Sequence, residues 1–156
     1  MIEGVVLKPL VAHKDERGEL FEILRRDDSL FRQFGQAYLT KCSPGWVKGW
    51  HFHTLQWDNF CCVRGAARIV LLDERKDSPT SGQWEEYDLG PGAGGTLAVL
   101  RIPPYVLHGI ECLGTEECWI LNNSTELYDH KNPDEFRKPL TDLSIPYEKW
   151  RGRKGW

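Results

Sequence analysis

The chain alternates short apolar, aromatic and β-branched runs with clusters of Gly, Pro, Asn and Asp. Each run ends at turn-forming residues, and together they read GVVLKPL, GELFEILRR, GQAYLTKC, VKGWHFH, NFCCVRG, ARIVLLDER, QWEEYDLG, GTLAVLRIP, HGIECLG and ECWILNNS. Short runs of this kind between turn formers predict β-strands, and many short strands at even spacing predict a sandwich or a barrel. The pattern therefore predicts an all-β chain.

Two segments have a composition that favours short helices. Residues 27–35 (DDSLFRQFG) open with Asp and Ser, which cap helix N-termini, and they end at Gly35. Residues 132–140 (NPDEFRKPL) form the second candidate. We expect one or two short helices beside the strands.

Length and charge limit the classes of function. The chain has 156 residues and a net charge of −3, which predicts one domain over residues 1–156 and no nucleic-acid footprint. There is no apolar run of about 20 residues and no signal-peptide pattern, so we expect no membrane association and a cytoplasmic location. The basic end, RGRKGW, predicts a frayed C-terminal tail over about residues 148–156.

The cysteines do not suggest a disulfide framework or a zinc site. They are odd in number and none of them forms a CxxC pair. In a reducing compartment such cysteines are expected to be small buried residues. They are Cys42, Cys61, Cys62, Cys112 and Cys118.

Three histidines are candidates for chemistry. In the predicted strand VKGWHFH, His51 and His53 are two residues apart and leave the same face, while Trp50 and Phe52 leave the other. His108 follows a Pro-Pro turn at the start of a distant strand. Small barrels hold ligands at their mouths, so the three imidazoles are expected to converge there, as a base, as metal ligands or as packed core residues.

The spacing around these histidines resembles the cupin superfamily. The pattern Gly45-(x5)-His51-x-His53-(x4)-Asp58-(x6)-Gly65 is similar to its first motif, with Asp58 where Glu is usual. The segment PPYVLH, which ends at His108, resembles its second motif. This resemblance implies a double-stranded β-helix, the jelly roll.

A closer resemblance, along nearly the whole chain, is to the dTDP-4-dehydrorhamnose 3,5-epimerase family. The matching segments are DERGELFE (15–22), the Q-(x14)-H spacing from Gln36 to His51, KGWHF (48–52), DERKDSPTSGQW (73–84), IPPYVLHGI (102–110) and ELYDH (126–130). The S-P-T-x-G-x-W and H-G matches are the most specific of these.

This family resemblance implies a homodimer that binds a nucleotide-linked 4-keto sugar without a metal or an organic cofactor. His51 would be the base that removes a proton next to the ketone, and Tyr128 would return a proton on the opposite face. The implied substrate-binding residues are Arg17, Phe21 and Glu22, which reach into the neighbouring subunit, with Gln36, Lys48 (where an arginine usually meets phosphate), His53 and His108.

The sequence departs from the family pattern at the site itself. Asp58 stands where the family has a lysine that stabilises the enolate, and His53 replaces a residue that is usually Gln. In the family a carboxylate near the C-terminus partners the base. In the corresponding segment of this chain, RKPLTDLSIP, the nearby carboxylate is Asp142, slightly out of register. Epimerisation at C3, at C5 or at both, and keto-isomerisation, are therefore all open.

Two alternatives follow from these departures. His51, His53, Asp58 and His108 could instead bind a divalent transition metal, since imidazole and carboxylate suit Fe(II), Mn, Ni or Zn. The chain could also be a catalytically silent jelly roll that binds a sugar nucleotide. The sugar-nucleotide motifs outside the site favour an epimerase or isomerase of a dTDP- or UDP-linked 4-keto-6-deoxy sugar.

Overall fold

A computed structural model describes residues 1–92 and 94–155. All ten predicted runs contain a strand. The strands are β1 Val6–Pro9, β2 Ala12–Asp15, β3 Gly18–Phe21, β4 Gln36–Cys42, β5 Trp46–Phe52, β6 Asp58–Arg64, β7 Ala66–Asp73, β8 Trp84–Leu89, β9 Ala98–Ile102, β10 Val106–Leu113, β11 Cys118–Ser124, β12 Phe136–Arg137 and β13 Lys154–Gly155.

Two antiparallel sheets pack face to face. The first has the order β1-β9-β6-β11-β4, and the second has the order β12-β5-β10-β7-β8, with β13 added in parallel beside β5. The strands β2 and β3 form a separate hairpin. The main apolar core lies between the sheets and includes Phe60, Ile69, Leu71, Leu100 and Ile120. The predicted all-β jelly roll is confirmed.

The two helix predictions are wrong. Residues 27–35 form turns and irregular chain, and Leu30 is buried against Cys61 and Val99 on the outer face of the five-stranded sheet. Residues 132–140 contain β12, which pairs with the end of β5. Tertiary pairing overrides weak local helix propensity in both segments. Among the described residues the one helical element is the 3₁₀ turn Glu148–Trp150, and no helix there could cross a membrane.

The expected frayed tail is also wrong for residues 148–155. Trp150 is fully buried, its ring centroid lies 4.6 Å from that of Trp50, and its indole N–H donates to Glu111 at 2.8 Å. Beyond it, Lys154–Gly155 pairs with the start of β5. The C-terminal segment covers the outer face of the six-stranded sheet and supplies part of a second apolar cluster with Val70 and Leu107.

The prediction for the cysteines is confirmed. All five are free and buried. Cys42, Cys62, Cys112 and Cys118 belong to the main core, and Cys61 belongs to the cluster on the outer face of the five-stranded sheet. They serve as small core residues.

Candidate active site

A cavity of about 410 Å³ opens between the two sheets. On the five-stranded sheet, alternate residues of β4 face it, namely Gln36, Tyr38 and Thr40, as the two-residue period of a strand requires. The rest of its wall is formed by Lys48, His51, His53, Gln56, Phe60, Ile110, Tyr128, His130, Glu135 and Arg137. Five of the predicted site residues meet in this pocket: Gln36, Lys48, His51, His53 and Tyr128.

A bulge in β5 turns His51 into the cavity. His108 pairs with His51 and Ile110 pairs with Lys48, so between these pairs one residue of β10 opposes two of β5. Such a bulge re-aims side chains, and here Lys48 and His51 both line the cavity in spite of their odd spacing. The partner position is Gly109, where an added Cβ would lie 2.7 Å from Trp150 and 3.0 Å from the Lys48 carbonyl oxygen. The H-G pair is therefore a packing requirement of the bulge.

His51 has the properties of a general base. Its Nδ1 lies 3.2 Å from the Gly49 carbonyl oxygen, which can only accept, so Nδ1 carries the proton and Nε2 keeps its lone pair. Burial, with the charges of His108 and His53, holds the pKa of His51 well below its usual value. The ring is therefore neutral at neutral pH, so its Nε2 can accept a proton.

Asp58 is a buried carboxylate between two imidazoles. Its Oδ2 lies 3.3 Å from Nε2 of His53 and 3.2 Å from Nε2 of His108, and its Oδ1 accepts hydrogen bonds of 2.7 Å from Gln56 and from Asn122. Burial opposes its ionisation, but these partners outweigh burial and hold the pKa of Asp58 well below its usual value. The carboxylate is ionised and its charge is compensated within the site.

His53 is the protonated partner of Asp58. Its Nδ1 donates to the backbone carbonyl of Asp134. Burial disfavours its charge, but Asp58 and the Asp134 carbonyl outweigh burial and raise the pKa of His53 to about 9. The Asp134 carboxylate accepts the backbone N–H groups of Thr54, Leu55 and Gln56 at 2.8, 2.9 and 3.0 Å, and so fixes the loop that carries His53.

His108 lies behind His51 instead of in the cavity wall. It is 1 % exposed, its Nδ1 donates to the Val106 carbonyl at 2.9 Å, and its ring centroid lies 4.0 Å from that of His51. It packs against the His51 ring on the side away from the cavity. Because it is not exposed to the cavity, it cannot contact a substrate there as predicted.

The same four residues fit a divalent transition metal by their chemistry. One donor atom from each of His51, His53, Asp58 and His108 lies within 4.8 Å of all the others. Each histidine uses Nδ1 on a backbone carbonyl, which leaves Nε2 as the ligand atom. Metal-binding histidines are held by outer carbonyls in this way.

The mouth of the cavity carries Tyr128 and His130. Tyr128 is 38 % exposed, its backbone N–H lies 3.4 Å from Oε1 of Gln36, and its ring meets that of His130 edge to face at 4.9 Å. His130, which the sequence places in a polar turn-like stretch, is exposed but lines this mouth.

Lys48 supplies a cation in the cavity wall. Its Nζ donates to the Thr40 hydroxyl at 2.5 Å, and this bond joins the six-stranded sheet to the five-stranded one. An ammonium group in this position suits a phosphate or a developing oxyanion.

Other predicted residues lie outside the cavity. Arg17 is on the hairpin, paired with Asp15 at 2.6 Å, and Glu22 follows it, paired with Arg25 at 2.7 Å. Phe21 ends β3 on the same hairpin. Their contact with a neighbouring subunit stays a prediction.

Asp142 is not a partner of His51. Its carboxylate accepts from the Ser144 backbone and hydroxyl at 2.9 and 2.7 Å, in a surface turn near the C-terminus. These are the local hydrogen bonds that an Asp side chain makes in a turn, so Asp142 has a structural role there. The buried carboxylate of the site is instead Asp58.

Sequence reasoning missed four polar residues that organise the site. Tyr38 lines the cavity, Gln56 and Asn122 hold Asp58, and Asp134 holds His53. The two-residue period of GQAYLTKC could have indicated Tyr38. Asn122 and Asp134 have no local signal, because their partners lie 64 and more than 70 residues away.

Comparisons with known proteins place this site in a family. The profile of the family described as polysaccharide biosynthesis C-terminal domain matches residues 13–136. The spore coat polysaccharide biosynthesis protein SpsL of Bacillus subtilis is 38% identical over 147 residues, 94% of this chain and 95% of its own. The probable low-salt glycan biosynthesis epimerase Agl13 of Haloferax volcanii is 36% identical over 99% of this chain and 94% of its own.

A solved structure agrees with these matches. The dTDP sugar isomerase of Desulfovibrio desulfuricans G20 superposes with a TM-score of 0.88 at 32% identity, over 97% of this chain and 93% of the other. The chain therefore belongs to the polysaccharide biosynthesis C-terminal domain family and has the fold of the dTDP-4-dehydrorhamnose 3,5-epimerases.

Proposed function

We propose that this protein is an epimerase or isomerase of a nucleotide-linked 4-keto-6-deoxy sugar, and that it acts by removing a proton from a carbon next to the ketone. The family, the relatives named for epimerase or isomerase activity, and the solved dTDP sugar isomerase support this class. The single observation that carries the chemistry is a neutral His51 whose Nε2 is free to accept a proton at the cavity wall.

The reaction needs a base near its working pH and a place for negative charge. His51 Nε2 takes the proton, the electron pair of the broken C–H bond forms the C=C bond of an enolate, and the C=O π pair moves onto the ketone oxygen. Lys48 provides positive charge in the same wall. Tyr128, at the mouth, is the candidate that returns a proton to the opposite face of the carbon.

In this proposal the sugar nucleotide is bound by residues of two chains of a homodimer. The β2–β3 hairpin pairs with neither large sheet, and two apolar residues, Val11 just before it and Leu20 on it, are 69% and 58% exposed. A homodimer in which the hairpin covers a neighbour would bury these residues and bring Arg17 to the nucleotide. Light scattering of purified protein tests this, and a monomer at micromolar concentration contradicts it.

Deuterium exchange tests the function directly. The protein is incubated in D₂O with dTDP- and UDP-linked 4-keto-6-deoxyhexoses, and loss of the C3 and C5 proton signals is followed by NMR. We expect exchange at one or both carbons with at least one nucleotide. No exchange with any member of the panel overturns the proposal.

A metal-dependent activity is a second candidate, favoured by the four converging donors. His51, His53, Asp58 and His108 would hold a divalent transition metal, which could act as a Lewis acid toward a carbonyl. Elemental analysis of purified protein separates the two candidates. A stoichiometric transition metal, together with loss of activity on chelation that the same metal restores, supports the metal enzyme. Full exchange activity in metal-free protein overturns it.

A further inference from the structure

The proposed reaction leaves one electrostatic question, because Asp58 occupies the position of the lysine that stabilises the enolate in the resembled family. A carboxylate cannot donate to an oxyanion, and Lys48 supplies positive charge in the wall, but the ketone oxygen still needs a hydrogen-bond donor aimed at it. We propose that Tyr38 is a catalytic residue that donates a hydrogen bond to the ketone oxygen of the substrate, and that Asn122 positions it. This inference rests on the proposed function.

The position of Tyr38 is set by sheet register. Tyr38 on β4 pairs directly with Asn122 on β11, so the two side chains project from the same face of the sheet. That face is the cavity wall, and Tyr38 keeps 38% of its surface exposed there. The tyrosine hydroxyl is therefore held over the cavity by a buried neighbour.

The orientation of Asn122 follows from its hydrogen bonds. Its Oδ1 accepts the backbone N–H of Asn59 at 3.0 Å, which identifies the other amide atom as Nδ2. Nδ2 has two hydrogens, and it donates one to Asp58 Oδ1 at 2.7 Å and the other to the Tyr38 hydroxyl at 2.9 Å. Asn122 is fully buried, so this arrangement has no competition from solvent.

The hydroxyl proton of Tyr38 therefore points away from Asn122. The hydroxyl oxygen already accepts from Asn122, and within residues 1–92 and 94–155 it donates to no protein acceptor. A hydroxyl has one proton to donate, and the open side of Tyr38 is the cavity that His51 also lines. A ligand carbonyl in that cavity is the natural acceptor.

The hydroxyl suits an enolate because it stays protonated. Burial, together with the charge of Asp58, raises the pKa of Tyr38 above its usual value. When His51 removes the proton from carbon, the C–H electron pair forms the C=C bond of the enolate and the C=O π pair moves onto the oxygen. The Tyr38 hydroxyl then donates a stronger hydrogen bond to that oxygen and keeps its own proton. Preorganised donors of this kind are worth about 10²–10³ in rate.

The test compares Tyr38→Phe with the wild type in the D₂O exchange assay. The substitution removes one oxygen, and a thermal melt checks its fold. We expect the exchange rate and kcat to fall by about 10²–10³, while KM and the thermal shift given by dTDP stay within about twofold. Tyr105→Phe, which removes a hydroxyl from an exposed tyrosine outside the cavity wall, is the matched control and should exchange at the wild-type rate.

Tyr38→Gln restores a donor and should recover part of the lost rate. Tyr38→Met, which also lacks a donor, keeps the inference testable if Tyr38→Phe does not fold. A Tyr38→Phe or Tyr38→Met protein that folds and exchanges within about threefold of a working wild type overturns the role of Tyr38 and leaves the proposed function standing, since loss of one hydrogen-bond donor should cost far more. A wild type that exchanges no substrate overturns both.

Discussion

His51 and His108 are paired in register across β5 and β10, and their ring centroids lie 4.0 Å apart. One ring faces the cavity, and the other is buried between it and Asp58. Two imidazoles this close disfavour a second positive charge, which adds to burial in keeping His51 neutral. The pairing makes the base and its electrostatic environment one structural unit.

The dependence of kcat/KM on pH should reflect the lowered pKa of His51. Because the pKa of His51 is lowered below its usual value, its basic form persists at pH values where an exposed histidine is protonated. We expect kcat/KM to stay constant as pH falls through about 6.5, the value of a free histidine, and to decline only at lower pH. An acidic limb, in which kcat/KM already falls as pH is lowered through 7 or above, would contradict this.

Replacing the base should remove chemistry and spare binding. His51→Asn keeps a polar side chain of similar reach, so we expect the exchange rate to fall by about 10²–10⁴ while dTDP still raises the melting temperature. His13→Asn, on the exposed face of the hairpin, is the control and should behave as wild type. If His51→Asn loses its fold, the histidine is structural.

Asp58 should be important for stability. It is 1 % exposed and compensates the charge of His53. Removing one member of a buried ion pair leaves the other uncompensated, so Asp58→Asn should lower the free energy of unfolding by about 3 kcal/mol. Urea denaturation measures it, with the exposed Asp77→Asn as a control within about 0.5 kcal/mol of wild type. A loss below about 1 kcal/mol for Asp58→Asn would show that the pair contributes little.

His53 should make stability depend on pH at the alkaline side. Its pKa is raised to about 9 in the folded protein, above the value of an unfolded histidine. Its contribution is therefore complete below about pH 6.5 and is lost as pH rises through about 9, a difference on the order of 3 kcal/mol. Melting temperatures from pH 6 to 10 should fall over this range, and His53→Gln should flatten the curve. Parallel curves for the two proteins would contradict the assignment.

The C-terminal segment should be part of the folded core. Trp150→Ala removes a fully buried ring and its bond to Glu111, and we expect a loss of about 3–5 kcal/mol in the free energy of unfolding. The control is Trp46→Ala, because Trp46 is 48% exposed. Its loss should be about 1 kcal/mol or less. Equal losses in the two variants would mean that Trp150 packs no better than a surface residue.

Much of the fold and part of the site were predictable from local pattern. Alternating apolar runs closed by turn formers identified ten of the thirteen strands that the structure describes, since the two-residue period of a strand can be read from consecutive residues. The H-x-H spacing, the H-G pair and the sugar-nucleotide motifs identified the histidines of the site and the family. Capping chemistry alone misassigned residues 27–35 and 132–140, where packing on a sheet outweighs weak helix propensity.

By itself the chain determined its strands, its family resemblance and the candidate base at position 51. Only the tertiary structure decided that Asp58 is the buried partner of His53 and His108, that Asn122 aims Tyr38 at the cavity, and that the C-terminal segment belongs to the core. The reason is physical: strand alternation depends on neighbours in sequence, whereas charge compensation, bulge geometry and hydrogen-bond orientation depend on groups that meet only when distant strands pair.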